Sequence, residues 1–398
     1  MTLDVSPQLL PDRLRMALPK IATPAYVVDE VRLRENLETA ARVRAATGCR
    51  MLLATKAFAM PAAFPLMRPF LDGTTASGLY EARLGREEFG KEVHVYAPAY
   101  TEAEVQELTH LADHITFNSV DQVRRFAPLV RAAGRGIRTG VRINPGYSCA
   151  TVGGSKYDPC SPLSRFGVPL RELDALPWEL VDFLHVHALC EADHRASALL
   201  MDRVVDVLGP YLARVKAINL GGGHFLNKRG FYNPDALMAR LRAFRDAFPH
   251  LDVILEPGSG LVVDAGYLVT SVLDLVDNGA HVVAVLDSSF TCHMPDVLTA
   301  PYTPSVLGAT TETDAANPFG YLLGGKTCMT GDLAGPFFFA QALKPGDKIV
   351  LGDMLQYTFV QATTFNGTPL PDLGWLDAAG AYRVERAFGY ADFRTRLG

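Results

Sequence analysis

The chain has 398 residues, 48% of them hydrophobic and 20% charged, a composition typical of a globular protein that at this length predicts two domains. Its net charge of -5 and scattered basic residues exclude a general attraction to nucleic acid, although they would not repel a small cationic substrate. No apolar stretch is long enough to cross a membrane, residues 1–20 show no signal-peptide pattern, and six widely spaced cysteines without a CxxC pair predict a cytoplasmic protein with reduced thiols.

Short β-rich runs alternate with segments of helical periodicity from about residue 25 to residue 257. Helices are predicted between the runs, for example in SVDQVRRFAPLVRAAG, which begins at a serine N-cap and ends at a glycine. Strand and helix alternating eight times predict an α/β TIM barrel, while an open doubly wound sheet is the alternative. The predicted strands are RMLLAT (50–55), FLDGTT (70–75), VHVYA (93–97), HITFN (114–118), IRTGVRIN (137–144), VDFLHVH (181–187), VKAINL (215–220) and DVILE (252–256).

The pattern changes after about residue 260, where helical periodicity almost disappears. Gly, Pro and Asn turns separate segments that predict strands, namely YLVTSVLDLV, HVVAVLDSS, DKIVLGDML and YTFVQATTF. LGATTETDAANPFG is predicted to be a surface loop. These segments predict an all-β second domain.

Functional residues of a TIM barrel follow the C-terminal ends of its strands, and polar residues occupy these positions here. They are Lys56 after the first strand, Arg142 and Asn144 at the end of the fifth, His187 at the end of the sixth, GGGH (221–224) after the seventh and Glu256 at the end of the eighth. Lys56 lies between apolar residues, where desolvation would favour the neutral amine that forms a Schiff base. The alternative is a structural lysine whose ammonium reaches water.

Two other strand ends also allow a structural and a functional interpretation. Three glycines at Gly221–Gly223 would let backbone N–H groups approach a phosphate, or they could form an ordinary turn. Glu256 could keep a pyridine nitrogen protonated, or it could pair with an arginine of the barrel.

The segment HVHALCEADH allows a metal site or a cofactor contact. His185 and His187 are two residues apart and share one face of a strand. With Cys190 and other polar neighbours, they could form the zinc site of a metal-dependent hydrolase. The favoured interpretation is that His187 stacks on a flat cofactor ring while His185 packs inside the barrel.

Taken together, these residues and the later motifs GGKTCMTGD and QYTFVQATTFNG resemble the fold-type III pyridoxal phosphate decarboxylases, from about residue 23 to the C-terminus. Within that group the chain is most similar to carboxynorspermidine decarboxylases. The motifs that carry this similarity are FLDGTTASGLYEARLG, RINPGYS, YDPCSPLSRFG, HALCE, GGGH, TCHMPDVL and YADFRTRLG.

The resemblance implies an alanine racemase-like barrel at residues 25–265, with residues 1–24 and 266–398 forming a Greek-key-like β-barrel domain that contributes to a dimer interface. It implies pyridoxal 5'-phosphate as cofactor and a homodimer with active sites shared between subunits. The implied catalytic residues are Lys56, which forms the Schiff base, and Cys328, which acts as general acid from across the dimer. The implied cofactor contacts are His187, Gly221, Gly222, Gly223, Glu256, Tyr357 and Arg142.

The implied reaction is the decarboxylation of a basic amino acid, carboxynorspermidine or carboxyspermidine, to norspermidine or spermidine. Candidate substrate contacts are Glu191, His224, Asp296, Asp332 and Arg165; the three carboxylates would meet distal ammonium groups unless they lie on a solvated surface. Ser259, Ala188 and the residues around Lys56 depart from the carboxynorspermidine decarboxylase pattern. Decarboxylation of diaminopimelate, ornithine, lysine or another amino acid therefore stays open, as do the metal-dependent hydrolase and a non-catalytic regulator with this fold.

Overall fold

The structure is a computed structural model that describes residues 9–147, 158–299 and 302–398. Motifs RINPGYS and YDPCSPLSRFG extend into residues 148–157, and part of the expected segment 1–24 precedes residue 9, so these parts lie outside the described residues. The chain divides into two compact units, Arg34–Val263 and Met1–Leu33 with Asp264–Gly398. No helix within the described ranges is both long and apolar enough to cross a bilayer.

The strands in chain order are β1 Ala25–Asp29, β2 Arg50–Ala54, β3 Gly73–Ala76, β4 Glu92–Tyr96, β5 His114–Phe117, β6 Arg138–Asn144, β7 Val168–Pro169, β8 Phe183–His185, β9 Ala217–Asn219, β10 Asp252–Leu255, β11 Gly266–Asp277, β12 Val282–Leu286, β13 Ala309–Thr310, β14 Phe319–Gly324, β15 Leu333–Phe339, β16 Lys348–Gly352, β17 Asp372–Leu376 and β18 Tyr382–Arg386.

The α-helices are α1 Asp12–Ala17, α2 Glu30–Thr47, α3 Phe64–Met67, α4 Leu79–Leu84, α5 Glu102–Leu111, α6 Val120–Ala132, α7 His194–Leu212, α8 Pro234–Ala247, α9 Ser259–Val262, α10 Phe290–His293, α11 Pro295–Thr299, α12 Thr358–Gln361 and α13 Tyr390–Leu397.

The unit Arg34–Val263 is built around a closed parallel barrel. Its strands pair in the order β2, β3, β4, β5, β6, β8, β9 and β10, and β10 pairs again with β2. Each of the eight predicted barrel strands is present in this ring. The prediction of a TIM barrel is confirmed, and the C-terminal ends of these strands form what we call the barrel mouth.

Local sequence explains where the surrounding helices begin. Thr101 and Glu104 form a reciprocal capping box at the start of α5, and Ser119 caps α6 by accepting a hydrogen bond from the Gln122 amide. On the inner face of α6, buried residues recur at helical spacing, namely Val123, Phe126, Ala127 and Val130. The predicted serine cap of this helix is therefore confirmed.

The unit of Met1–Leu33 with Asp264–Gly398 is mostly sheet. Its strand order is β13, β15, β14, β12, β11, β1, β17 and β18, and β16 pairs with β11. β1 lies between antiparallel β11 and parallel β17. A core that includes Tyr26, Leu268 and Phe290 is buried in this unit. The predicted second domain is confirmed as a mostly-sheet unit, although it was expected to be all-β and also contains α1 and α10 to α13.

Two predictions for this unit were wrong in part. YTFVQATTF was predicted as a strand, but α12 occupies Thr358–Gln361 because Tyr357 adopts a left-handed φ of 58° and the Thr358 hydroxyl donates to the Met354 carbonyl. The predicted surface loop LGATTETDAANPFG contains β13 and the start of β14. Short apolar runs with threonine fit a strand and a helical turn equally well, so periodicity could not separate the two.

Candidate active site

Lys56 lies two residues beyond β2, at the barrel mouth. The Ala57 amide donates to the Ala54 carbonyl at 3.0 Å, and Thr55 next to it is fixed by its hydroxyl, which donates to Glu81 at 2.8 Å. The lysine side chain is exposed rather than buried as expected. Protein atoms still surround the ammonium closely enough that desolvation, followed by the charge of Arg142, lowers the pKa of Lys56. A lowered pKa increases the neutral, nucleophilic fraction of the amine.

The three glycines after β9 form a tight cradle. Gly221 and Gly223 adopt positive φ values of 70° and 84°, and a Cβ atom on Gly222 would lie 2.5 Å from the backbone oxygen of Glu256. The Gly222 amide donates to His187 Nδ1 at 2.9 Å, while the half-buried Gly223 amide has no hydrogen-bond partner among the described residues. The backbone therefore needs glycine here, and one N–H group is available to an anion.

Glu256 is a buried carboxylate that stays ionised. Its Oε1 accepts from Asn219 Nδ2 at 2.7 Å, and its Oε2 lies 3.3 Å from His185 Nε2. Burial opposes ionisation, but His185, Asn219 and the more distant His94 outweigh it and lower the pKa of Glu256 to about 2. A charged carboxylate at the barrel mouth can hold a proton on a basic ring nitrogen of a ligand.

Arg142 is a buried cation at the end of β6. Its guanidinium lies 4.7 Å from the ring centres of both Tyr96 and Phe166, and Nη2 donates to the His187 carbonyl at 2.9 Å. Burial lowers the pKa of Arg142. Arg165 is exposed, and its guanidinium lies 4.5 Å from the centre of the Phe166 ring. Both arginines thus contact one aromatic ring, and Arg142 also contacts the His187 backbone.

The HALCE segment is tied to the glycine cradle by backbone hydrogen bonds. The Ala192 amide donates to the Gly223 carbonyl at 2.8 Å, and Phe225 donates back to Ala192 at 3.1 Å. Glu191 is half-buried and has a left-handed φ of 44°. His224 Nδ1 shares a 2.9 Å hydrogen bond with the Ser197 hydroxyl, and burial lowers the pKa of this histidine to about 4. His224 is therefore neutral near pH 7 and faces the protein interior.

The hydrolase alternative depended on a metal site. Donor atoms of His185, His187 and Glu256 lie within 4.8 Å of one another, so the barrel mouth does collect polar atoms, but Cys190 is not in this group. Burial raises the pKa of the Cys190 thiol, which disfavours the thiolate that binds zinc. The geometry thus lacks the cysteine on which the hydrolase interpretation rested.

The other predicted residues lie in the mostly-β unit. Cys328 is an exposed thiol in the turn between β14 and β15, and its amide donates to Asn366 Oδ1 at 2.9 Å. Asp332, at the end of this turn, is buried and accepts hydrogen bonds from Ser289 Oγ at 2.8 Å, Thr327 Oγ1 at 2.6 Å and the Thr291 amide at 3.0 Å. Asp332 therefore holds the turn that carries Cys328.

Asp296 makes fewer hydrogen bonds than Asp332, and Tyr357 lies in the same mostly-β unit. One oxygen of Asp296 accepts from the Tyr302 hydroxyl at 2.7 Å, while its buried Oδ1 has no hydrogen-bond partner among the described residues. Burial raises the pKa of this carboxyl group. Tyr357 is half-buried at the start of α12. Asp296 thus has an unsatisfied acceptor, as a ligand-binding carboxylate would before its ligand binds.

The sequence patterns did not single out Asn219, Tyr96 or Asn366. Asn219 contacts Glu256, Tyr96 lies edge-on to His185 with ring centres 5.4 Å apart, and Asn366 holds Cys328. An inward-facing asparagine two residues before a glycine run was a usable signal for Asn219, because a buried amide needs polar partners. Asn366 is 38 residues from Cys328, and no local pattern links the two.

The fold and site define the class of protein. A closed parallel barrel carries a lysine, a glycine cradle and an ionised carboxylate at its mouth, and the chain also contains a mostly-β unit. The family model described as pyridoxal-dependent decarboxylase, C-terminal sheet domain, matches residues 25–354. The chain belongs to this family, the fold-type III pyridoxal-dependent decarboxylases, and is a carboxy-lyase; the predicted resemblance is confirmed.

Individual decarboxylases of this family are similar to the chain over nearly its full length. A carboxyaminopropylagmatine decarboxylase of Synechocystis sp. is 41% identical over 96% of this chain and 97% of its own length. A carboxynorspermidine/carboxyspermidine decarboxylase of Campylobacter jejuni is 38% identical over 96% of this chain and its full length. The crystal structure of the Campylobacter jejuni carboxynorspermidine decarboxylase complexed with norspermidine has a TM-score of 0.87 and 36% identity, covering 94% of this chain and 100% of that chain. The predicted similarity to carboxynorspermidine decarboxylases is also confirmed, whereas neither the hydrolase nor the regulator interpretation is supported.

Proposed function

We propose that this decarboxylase removes the α-carboxylate of carboxynorspermidine or carboxyspermidine, with pyridoxal 5'-phosphate as cofactor. The observation that carries the proposal is that one barrel mouth holds both Lys56, whose pKa is lowered, and Glu256, which stays ionised. The near full-length similarity to carboxynorspermidine/carboxyspermidine decarboxylases supports the choice of substrate.

The residues at the barrel mouth fit this cofactor. A Cβ atom would fill the cradle at Gly221–Gly223, and the Gly223 amide is available to a phosphate. Lys56 would hold the aldehyde carbon covalently, His187 would stack on the ring, and Glu256 would contact the ring nitrogen. Arg142 and Tyr357 are proposed as further contacts.

The cofactor, when bound, supplies an electron sink for the electron pair that remains on the α-carbon when carbon dioxide leaves. Glu256 holds the proton on the ring nitrogen, because a carboxylate that is ionised even in acid stabilises the charged pyridinium. Lys56 would hold the cofactor through its amine and would release it to the amine of the substrate. Cys328 of the partner subunit returns a proton to the α-carbon as general acid, and its exposed thiol is compatible with that role.

Distal ammonium groups of the substrate would be bound by carboxylates. Asp296, with one unsatisfied oxygen, and Glu191, on the loop tied to the glycine cradle, are the better candidates. Asp332 already accepts three hydrogen bonds, so we propose a scaffold role for it before a substrate contact. His224 and Arg165 stay candidates for polar contacts around the substrate.

A second candidate substrate is carboxyaminopropylagmatine, which the similarity to the Synechocystis enzyme favours. This substrate differs from the first two by a terminal guanidinium. A carboxylate binds a guanidinium best through two parallel hydrogen bonds. Carbon dioxide release should be measured side by side from carboxynorspermidine, carboxyspermidine, carboxyaminopropylagmatine, diaminopimelate, ornithine and lysine. We expect the highest kcat/KM with one of the first two; a clear preference for any other substrate would overturn the proposed choice.

The role of Lys56 is tested by Lys56→Ala. This change should abolish both turnover and the trapping of the cofactor by borohydride, because the amine that bonds to the cofactor is gone. Lys216→Ala is the matched control, since this exposed lysine of the same unit forms a surface ion pair with Asp182, at 3.5 Å. If Lys56→Ala kept either activity, the covalent role would belong to another lysine, and Lys326 would be tested first.

We further propose a homodimer with shared active sites and a cytoplasmic location. Dimerisation follows from the proposed role of Cys328 across the subunit boundary. The cysteines Cys49, Cys160, Cys190, Cys292 and Cys328 are all free thiols, which is compatible with a reducing compartment.

A further inference from the structure

Asn219 lies at the end of β9 and is 1% exposed. Its side chain connects two parts of the barrel mouth. Nδ2 donates to Glu256 Oε1 at 2.7 Å, and Oδ1 accepts from the Gly221 amide at 2.8 Å. One amide group thus joins the carboxylate to the first glycine of the cradle.

The orientation of this amide is fixed by its partners. A carboxylate only accepts hydrogen bonds and a backbone amide only donates them, so the side chain of Asn219 cannot be flipped without losing both contacts. The second oxygen of Glu256 lies 3.3 Å from His185 Nε2, and the Tyr96 ring lies edge-on against that imidazole. Both oxygens of the carboxylate are therefore confined.

Charged and titratable groups face Glu256 from several strands. His185 comes from β8 and His94 from β4, while Lys56, Arg142 and His187 follow or end β2, β6 and β8. Burial and neighbouring cations lower the pKa values of His185 and His187, so these imidazoles are neutral near pH 7. The hydrogen bond from Asn219, with the neutral His185 imidazole 3.3 Å from the other oxygen, confines the carboxylate without adding a proton to it.

We propose that Asn219 and His185 are positioning residues that hold the Glu256 carboxylate in place for the ring nitrogen of the cofactor, and that Asn219 also fixes its separation from the phosphate cradle. The inference rests on the proposed function, because it assumes that Glu256 meets the ring nitrogen and that the glycines meet the phosphate. Neither residue touches the reacting carbon; they act through Glu256 and Gly221.

Asn219→Asp is the informative variant, because it keeps the shape and exchanges the donating NH2 for an oxygen. At about pH 8 two ionised, buried carboxylates would then face each other, so the variant should bind pyridoxal 5'-phosphate about tenfold more weakly than the native protein. On lowering the pH, the introduced carboxyl takes up a proton and can donate to Glu256 as the amide did. The difference in cofactor affinity should therefore shrink toward about pH 6.

Asn36→Asp is the matched control. Asn36 is equally buried, but its Nδ2 donates to the carbonyls of Leu261 and Val263, at 3.2 and 2.8 Å. This variant should lose thermal stability without a pH-dependent change in cofactor affinity. The affinity is measured by titrating the apoprotein with pyridoxal 5'-phosphate at several pH values and following protein fluorescence, so the readout does not depend on turnover.

The pair His185→Gln and His185→Leu provides a second test if the asparagine variant does not fold. Glutamine keeps an N–H donor and leucine does not, so the leucine variant should bind the cofactor several-fold more weakly than the glutamine variant. The inference would be overturned if this pair bound the cofactor equally well. It would also be overturned if the difference in cofactor affinity between Asn219→Asp and the native protein did not change with pH. Failure of the native protein to bind the cofactor at all would instead overturn the proposed function.

Discussion

Gly222 shows at the scale of one residue why the cradle sequence is restricted. A methyl group there would lie 2.5 Å from a backbone oxygen of Glu256 and 3.2 Å from a ring carbon of His187, and neither neighbour is the free end of a flexible side chain. Backbone and ring must shift to accept it, and both belong to the proposed cofactor site. A change of one carbon atom is thus transmitted to two proposed cofactor contacts.

Gly222→Ala is expected to weaken binding of pyridoxal 5'-phosphate at least about tenfold, because the inserted methyl group displaces the glycine cradle. The control is Gly209→Ala in α7, where a Cβ atom meets nothing within 4 Å beyond its chain neighbours and the backbone of its own helix. That change lies away from the glycine cradle and should leave cofactor affinity unchanged. Equal cofactor affinity of the two variants, measured by fluorescence titration, would contradict the assigned role of the cradle.

His293 makes stability depend on pH. Its Nδ1 accepts from the Ser289 amide at 3.2 Å and its Nε2 contacts the Pro369 carbonyl at 3.1 Å, an arrangement that only a neutral ring satisfies. Burial lowers the pKa of His293 to about 4 although the carbonyl contact opposes this shift. The unfolded chain therefore takes up a proton at about pH 6.5, before the folded protein does, and stability is lost as the pH falls from about 6.5 to about 4.

We expect this residue to remove about 2 kcal/mol of stability between pH 7 and pH 5, measured as a fall in the free energy of unfolding. His293→Gln cannot titrate, so its stability should fall less steeply over the same range, whatever its absolute value. His110→Gln, at an exposed position on α5, should retain the native slope. A native slope in the His293 variant would show that other groups cause the acid sensitivity.

At the scale of elements, the turn between β14 and β15 is fixed by hydrogen bonds to the buried side chain of Asp332. Asp332 accepts three hydrogen bonds from Ser289, Thr291 and Thr327, while Asn366 accepts the amide proton of Cys328. These contacts join the turn to the start of α10 and to the segment after α12. The exposed thiol of Cys328 is thus carried by a fixed backbone, which is what a proton donor needs.

Asp332→Ala should destabilise the protein by about 3 kcal/mol, because three donors, the buried Ser289 hydroxyl among them, lose their acceptor. Asp314→Ala, which removes an exposed carboxylate that caps a turn through the amides of Ala316 and Asn317, should cost less than about 1 kcal/mol. The Asp332 variant should also react faster with iodoacetamide at Cys328, and Cys328→Ala identifies that signal. An unchanged alkylation rate would mean that Asp332 does not restrain the turn.

Helices and strands could be predicted from the sequence where the pattern of apolar residues fitted only one kind of secondary structure. All eight barrel strands could be read from the sequence because each is a short β-rich run between helical segments, and several are followed by a polar residue at the barrel mouth, as at Lys56 and Glu256. α12 could not, because the left-handed conformation of Tyr357 decides it and nothing in the apolar pattern specifies that conformation. Asn219 and Asn366 act through partners far away in the chain, so their roles became visible only once the chain was folded.

At the scale of the whole molecule, the proposed sharing of active sites can be tested by mixing two inactive proteins. Lys56→Ala lacks the covalent residue, and Cys328→Ala lacks the proposed proton donor of the partner subunit. If each site takes one residue from each subunit, random exchange gives one intact site in every mixed dimer and restores about a quarter of native activity. Co-refolding the two variants at equal concentration measures this recovery.

Lys56→Ala co-refolded with itself is the control for that mixture, and it should stay inactive. No recovery in the mixture, at a concentration where sedimentation shows mixed dimers, would mean that both residues serve one site within a single subunit. In that case the proposed dimeric active site would be wrong while the decarboxylase assignment would still stand.

The position of β1 has a consequence for the order in which the chain is made. This strand is synthesised near the start, yet its two neighbours, β11 and β17, come hundreds of residues later, β17 almost at the end. The barrel strands β2 to β10 are all synthesised before either neighbour of β1, so β1 has no partner strand during the whole synthesis of the barrel. An unpaired apolar strand is a template for pairing with another chain. Residues 25–29 are therefore the place where a nascent or truncated chain is most exposed to aggregation, and a chain that stops before residue 372 would keep one edge of β1 open for its lifetime.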